Sequence, residues 1–183
     1  MADTWSLQSP PRAAPPVSVL MYHQVGEFDS PKAHRAGYCQ VRRFRSQMRY
    51  LKRFGYRVLG LEEALAGLFG DAPLPTRGVV ITFDDGYQNF RDYAWPVLAE
   101  LGFPATVYLV SSLVGDRSRW LAQQGRDAPM MDSATVRELR RDGVLFGSHS
   151  VSHPRLSRLP AVAVREEVMR SKSMLEDLLG ESV

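Results

Sequence analysis

Asp84 and Asp85 stand side by side in VVITFDDGYQNF (79–90), at the end of a run of apolar residues. Neighbouring carboxylates repel each other, more strongly as the local dielectric falls, so a cation is expected beside them. A second stretch, GSHSVSHP (147–154), offers that cation ligands. His149 and His153 are separated by three residues, a spacing at which two imidazoles can converge on one ion. Gly147 before them and Pro154 after them favour a loop, and Ser150 stands where a metalloprotease helix motif needs Glu, which excludes that motif. Two histidines and one carboxylate leave an open position for water, as catalytic zinc sites do, and the same set suits ferrous iron. The cation would neutralise one aspartate by coordination and keep the other ionised as a base; either aspartate fits either role. His23, in LMYHQV, would reach the same region as a site residue or as a satisfied core histidine, whereas His34 in a polar loop is expected in solvent.

The elements that position these residues alternate along the chain. VSVLMYH (17–23), YRVLGL, GVVITF, ATVYLV (105–110) and VLFGS read as short buried strands, each followed by a helical pattern. Phe44, Met48, Leu51 and Phe54 recur at helical spacing before Gly55, and LEEALAGLFG ends at Gly70. Pro96 suits the first turn of the next helix and Gly102 the residue past its end. Asp132 or Ser133 can cap a helix running to Gly143. Val164, Val168, Leu175 and Leu179 line one face of a last helix stopped by Gly180. Strands apolar on both faces, alternating with helices, predict an α/β fold with a parallel sheet, in which ligands sit at the carboxyl ends of strands. Asp84, Asp85 and the segment holding both histidines fall at that edge.

The 183 residues suffice for one domain with a core, and 44% hydrophobic with 23% charged residues is ordinary for a globular chain. Residues 1–16, rich in Pro and Ala, read as a flexible lead-in to a domain spanning 17–183. Acidic residues number 20 against 23 basic, so a net charge of +3 is no nucleic-acid signature. The basic run Arg42, Arg43, Arg45, Arg49, Lys52, Arg53 and Arg57 is expected on a helix, as a solvated face or as an attraction for an anionic polymer or surface. Cys39 is the one cysteine and excludes an internal disulfide. No apolar run has the 18 or so residues needed to cross a bilayer. The start, MADTWSLQSPPRAAPPVSVLMYHQV, lacks the features of a secretion signal, which places the protein in the cytoplasm, or in the cell envelope or outside if such a signal has been trimmed.

TFDDG (82–86) followed by HSVSH (149–153), with VLMYH near the start, resembles the polysaccharide deacetylases of the NodB-homology type, carbohydrate esterase family 4. The resemblance covers roughly residues 17–183. It implies a distorted (β/α) barrel, here incomplete on its carboxyl-terminal side. It implies a metal-dependent hydrolase that removes N-acetyl groups from the amino sugars of a polysaccharide or oligosaccharide. Asp84 would be the general base, and Asp85, His149 and His153 would hold a divalent metal, zinc before cobalt, nickel or iron. The family pattern continues with an arginine, an Asp-containing motif and a late histidine that protonates the leaving amine, none of which follows here, where the chain reads ESV after Gly180. His23 is therefore expected to replace that acid or to stand behind the site residues, and the barrel is expected to be completed by a further carboxyl-terminal segment or a partner chain. The competing reading is a catalytically incomplete relative that binds metal and glycan. The expected partner is an N-acetylated glycan, with Tyr87 and Trp120 able to stack on a sugar or simply to pack.

Overall fold

The computed structural model describes residues 15–29, 35–120 and 127–183. Residues 1–14, which make up nearly all of the expected lead-in, and His34 lie outside the described residues. Strand β1 (Val17–Tyr22) leads into a short β2 (Gln24–Gly26), then β3 (Tyr38–Gln40), helix α1 (Val41–Arg53), β4 (Arg57–Val58) and helix α2 (Leu61–Phe69). The central strand β5 (Gly78–Phe83) is followed by helix α3 (Trp95–Leu101), β6 (Thr106–Leu109), α4 (Ser133–Arg141), β7 (Leu145–Ser148) and α5 (Ala161–Leu179). Five strands form one sheet in the order β1-β5-β6-β7, with β4 also paired to β5, and every pairing is parallel. The mixed α/β, parallel architecture is the one expected. Among the described residues the sheet is open, with β1 and β7 at the ends of that order.

All six residues of β5 are buried, as a strand covered on both faces must be. Its Val79, Ile81 and Phe83 join Phe44, Met48 and Leu51 of α1 and Val97 and Leu98 of α3 in the main core. Val80 points the other way, to Leu59 and Ala64. Around the end of β5 the rings of Tyr22, Phe44, Phe83 and Phe90 interlock, with centroids 4.7–5.8 Å apart. Each fully buried phenylalanine contributes about 1.5–3 kcal/mol by burial alone, so the residues following Phe83 leave a rigid platform.

Several local signals hold. Asp132 caps α4 by accepting the Thr135 N–H, and Gly102 ends α3 in the left-handed region at φ 68°. Pro96 lies at the start of α3 as expected, where its missing N–H costs least, and the preceding turn is a π-helical segment, Phe90–Ala94, closed by the Trp95 N–H donating to the Phe90 carbonyl.

Other expectations need correction. Phe54 lies past the end of α1, 47% exposed and against Tyr50, rather than in the core, and Arg57 belongs to β4 rather than to the basic helix. Helix α5 buries Ser171 and Leu175, while Val168 is exposed and lines a cavity of about 560 Å³ with Leu145 and Tyr108. Strand β1 is not apolar-buried on both faces: Val19 and Met21 are 60% and 59% exposed, because no described element covers that side of the open sheet. The small parallel pair β2–β3 was not expected, since three-residue strands leave too short a pattern to read.

Candidate metal centre

The chain leaves β5 through a tight reversal. Asp84 is anchored by its N–H, which donates to the Tyr22 carbonyl across the β1–β5 pair at 2.9 Å. Asp85 and Gly86 both take positive φ, 77° and 85°. For a residue with a Cβ this costs on the order of 1–3 kcal/mol and persists only where the surroundings impose it. Here Met131 N–H donates to the Gly86 carbonyl, and Gln88 N–H to that of Pro129. The result turns the Asp85 side chain inward, 3% exposed, while Asp84 stays half-buried at the rim.

Glycine at 86 is required on two counts, the left-handed backbone and the absence of space. A Cβ there would lie 2.5 Å from Cδ2 of Leu109, itself buried in the core. Gly86→Ala is expected to destabilise the fold by about 2–4 kcal/mol, combining backbone strain with overpacking. Urea unfolding checks this; a loss under about 0.5 kcal/mol, the range of neutral surface changes, would contradict it.

The histidines arrive on the loop after β7. His149 N–H donates to Leu109 O at 2.8 Å, continuing the β6–β7 ladder. Ser150 and His153 then adopt positive φ, 66° and 59°, and the loop doubles back so that both imidazoles face one point. It is held on one side by the segment after β6, where Ser111 N–H donates to Ser150 O and Ser112 N–H to Val151 O, both at 3.1 Å. On the other side it is held by α5.

Asp85, His149 and His153 thus meet, with one ligand atom from each inside a 4.8 Å span. Nε2 of His149 is 3.4 Å and Nε2 of His153 is 3.5 Å from Asp85 Oδ1. These distances are long for hydrogen bonds. They suit ligands of one ion: donors about 2.0–2.2 Å from a tetrahedral zinc stand roughly 3.4 Å from each other. Asp85 Oδ1 is buried with no hydrogen-bond partner among the described residues, a costly state for a carboxylate oxygen unless a cation meets it. The residues present therefore fit a divalent metal, and Asp85 rather than Asp84 is the aspartate that faces both imidazoles.

Asp84 and His23 border this cluster. Burial pushes the Asp84 carboxyl above the ordinary range and the Asp85 charge adds to that, while the imidazoles of His149, His23 and His153 pull it down. Burial also pushes the His153 imidazole down. His23 is half-buried between β1 and β2 and close enough for its charge to act on both Asp84 and His153. Trp120 lies against His153, ring centroids 4.4 Å apart, and donates its indole N–H to the Tyr87 hydroxyl at 2.9 Å. Tyr87 is only 3% exposed, which removes it as a stacking surface and makes it the support of Trp120.

The family model described as Polysaccharide deacetylase matches residues 71–183. The chain belongs to the polysaccharide deacetylase family. YxkH of Bacillus subtilis (strain 168), named for the same family, is 27% identical over 161 residues, 87% of this chain and 51% of its own length. The poly-β-1,6-N-acetyl-D-glucosamine N-deacetylase of Escherichia coli (strain K12) is 37% identical over 70 residues, 38% of this chain and 10% of that enzyme. Among solved structures, IcaB from Ammonifex degensii superposes with a TM-score of 0.75 at 25% identity, covering 91% of this chain and 71% of that one. The chain spans about half the length of YxkH. The family is one of hydrolases of the carbohydrate esterase type. The parallel sheet that ends at Asp84, Asp85 and the His149–His153 loop is the fold the chain shares with those neighbours. The supports of the histidine loop, Ser111, Glu167 and Ser171, could not be picked out from the sequence, because each reads as an ordinary polar residue of a loop or helix.

Proposed function

We propose that the protein is a metal-dependent N-deacetylase of an N-acetylated amino-sugar polymer, with Asp85, His149 and His153 holding a divalent cation, zinc first. The observation that carries this reading is the buried Asp85 Oδ1, without a hydrogen-bond partner among the described residues, facing two imidazole nitrogens at 3.4 and 3.5 Å. When bound, such an ion supplies Lewis acidity that polarises an acetamide carbonyl and lowers the pKa of water.

The remaining work falls to the chain's own groups. Asp84, half-buried at the rim and adjacent to Asp85, takes the proton from water as its oxygen attacks the acetyl carbon. His23 gives a proton to the sugar nitrogen as the carbon–nitrogen bond breaks, leaving a free amine and acetate. Trp120, propped by Tyr87 over His153, offers the apolar face beside the centre on which a sugar ring can rest.

Acetate release from a panel of N-acetylated glycans, with and without a chelator and alongside metal analysis, tests the reading. Poly-β-1,6-N-acetylglucosamine heads the panel because a relative is named for it. Chelator-sensitive acetate release is expected. Metal present with no acetate from any glycan would favour the alternative, a metal- and glycan-binding relative without turnover. For His23→Ala, turnover is expected to fall about 10²–10⁴-fold with metal content unchanged; unaltered turnover would remove His23 from the mechanism.

A further inference from the structure

The carboxylate that shapes the histidine loop lies on neither of the elements that carry the proposed ligands. Glu167, on α5, accepts the N–H groups of Val151 and Ser152 on its Oε2, at 2.9 and 3.0 Å, and the Ser152 hydroxyl on its Oε1 at 2.8 Å. One turn along the same helix face, fully buried Ser171 donates to the Ser150 carbonyl at 3.0 Å and accepts the Ser148 hydroxyl at 2.7 Å. These contacts grip residues 148, 150, 151 and 152, the ones that flank and separate His149 from His153. The loop they grip carries left-handed backbone at Ser150 and His153, neither of which is glycine, so its shape must be imposed from outside.

We infer that Glu167 is a positioning residue for the metal centre: by gathering two consecutive loop N–H groups, its carboxylate bends the segment so that both imidazoles converge on Asp85. This rests on the metal reading given above. The plain competing role is a staple between helix and loop that supports the fold and nothing else. The two differ in what they do to metal affinity in a protein that remains folded, since groups that orient metal ligands typically control affinity by about 10–100-fold.

Calorimetric titration of zinc into the metal-free full chain and its variants separates them, with far-UV circular dichroism to confirm folding. Glu167→Ala is expected to weaken zinc binding by about 10–100-fold. Glu167→Gln is expected to recover most of that, because an amide oxygen can accept the same two N–H bonds while its NH2 donates to the Ser152 hydroxyl. Glu167→Asp keeps the charge but withdraws the carboxylate by one methylene, so it too must weaken binding; this holds the test open if Glu167→Ala does not fold. Lys172→Ala, which breaks the pair with Glu176 farther along α5, is expected to leave affinity unchanged. Parent-like affinity in Glu167→Asp, or Glu167→Gln as weak as Glu167→Ala, would overturn the inference. A parent chain that binds no zinc would instead remove the metal reading itself.

Discussion

Asp84→Asn is expected to lower acetate release by about 10²–10⁴-fold, the range for loss of a positioned general base, while zinc content and affinity stay close to those of the parent. The proposed division of labour between the adjacent carboxylates predicts this split. Asp85 faces the two imidazoles and is buried, whereas Asp84 stands at the half-buried rim with its backbone tied to β1. An amide at 84 keeps the size of the side chain and loses its ability to take a proton. Steady-state acetate assays on metal-analysed protein check it. Loss of zinc together with activity would show that Asp84 is a ligand and would reverse the assignment of the pair.

The second large effect concerns the ligands. His149→Ala and His153→Ala are each expected to weaken zinc by more than the roughly 10–100-fold typical of groups behind the ligands, and to bring acetate release to background. Asp85→Asn should behave likewise, with a further signature in stability. Without a cation the parent carries a buried carboxylate oxygen that has no hydrogen bond among the described residues, so replacing that carboxylate by an amide is not expected to lower the melting temperature of the metal-free protein. Zinc at about 100 times its dissociation constant should stabilise the parent by about 2.7 kcal/mol and leave Asp85→Asn unmoved. Thermal melts with and without zinc read this directly. A zinc-induced shift of equal size in Asp85→Asn would place the ion elsewhere.

How much of this was legible in the chain depends on how local each signal is. The strand GVVITF announces itself because all six of its positions are buried, and the capping of α4 by Asp132 is written in neighbouring residues. The spacing of His149 and His153 and the pairing of Asp84 with Asp85 pointed to a cation without deciding between the aspartates; the family resemblance named Asp85 as the ligand, and the left-handed turn at 85 and 86 is the physical reason that this side chain faces inward. Tyr87 read as a possible sugar platform and proved to be the buried prop of Trp120, since only the fold shows which of two aromatic residues is on top. Val168 was expected in a helix face whose buried positions are Ser171 and Leu175: hydrophobicity favoured valine, while the helix spends the site-facing position on a serine that bonds the loop. Glu167 was invisible for the same reason, as its three hydrogen bonds reach residues 15 and 16 positions away. What escaped the sequence is therefore the scaffolding that holds the chemical groups, more than the groups themselves.

Zinc K-edge X-ray absorption on the zinc-loaded chain is the most direct measurement of the proposed centre. The structure predicts two imidazole nitrogens and a carboxylate oxygen at about 2.0–2.2 Å, with the imidazole signal lost in a His149→Ala, His153→Ala double variant. A spectrum of hydrated zinc, or one whose imidazole signal persists in that double variant, would contradict it.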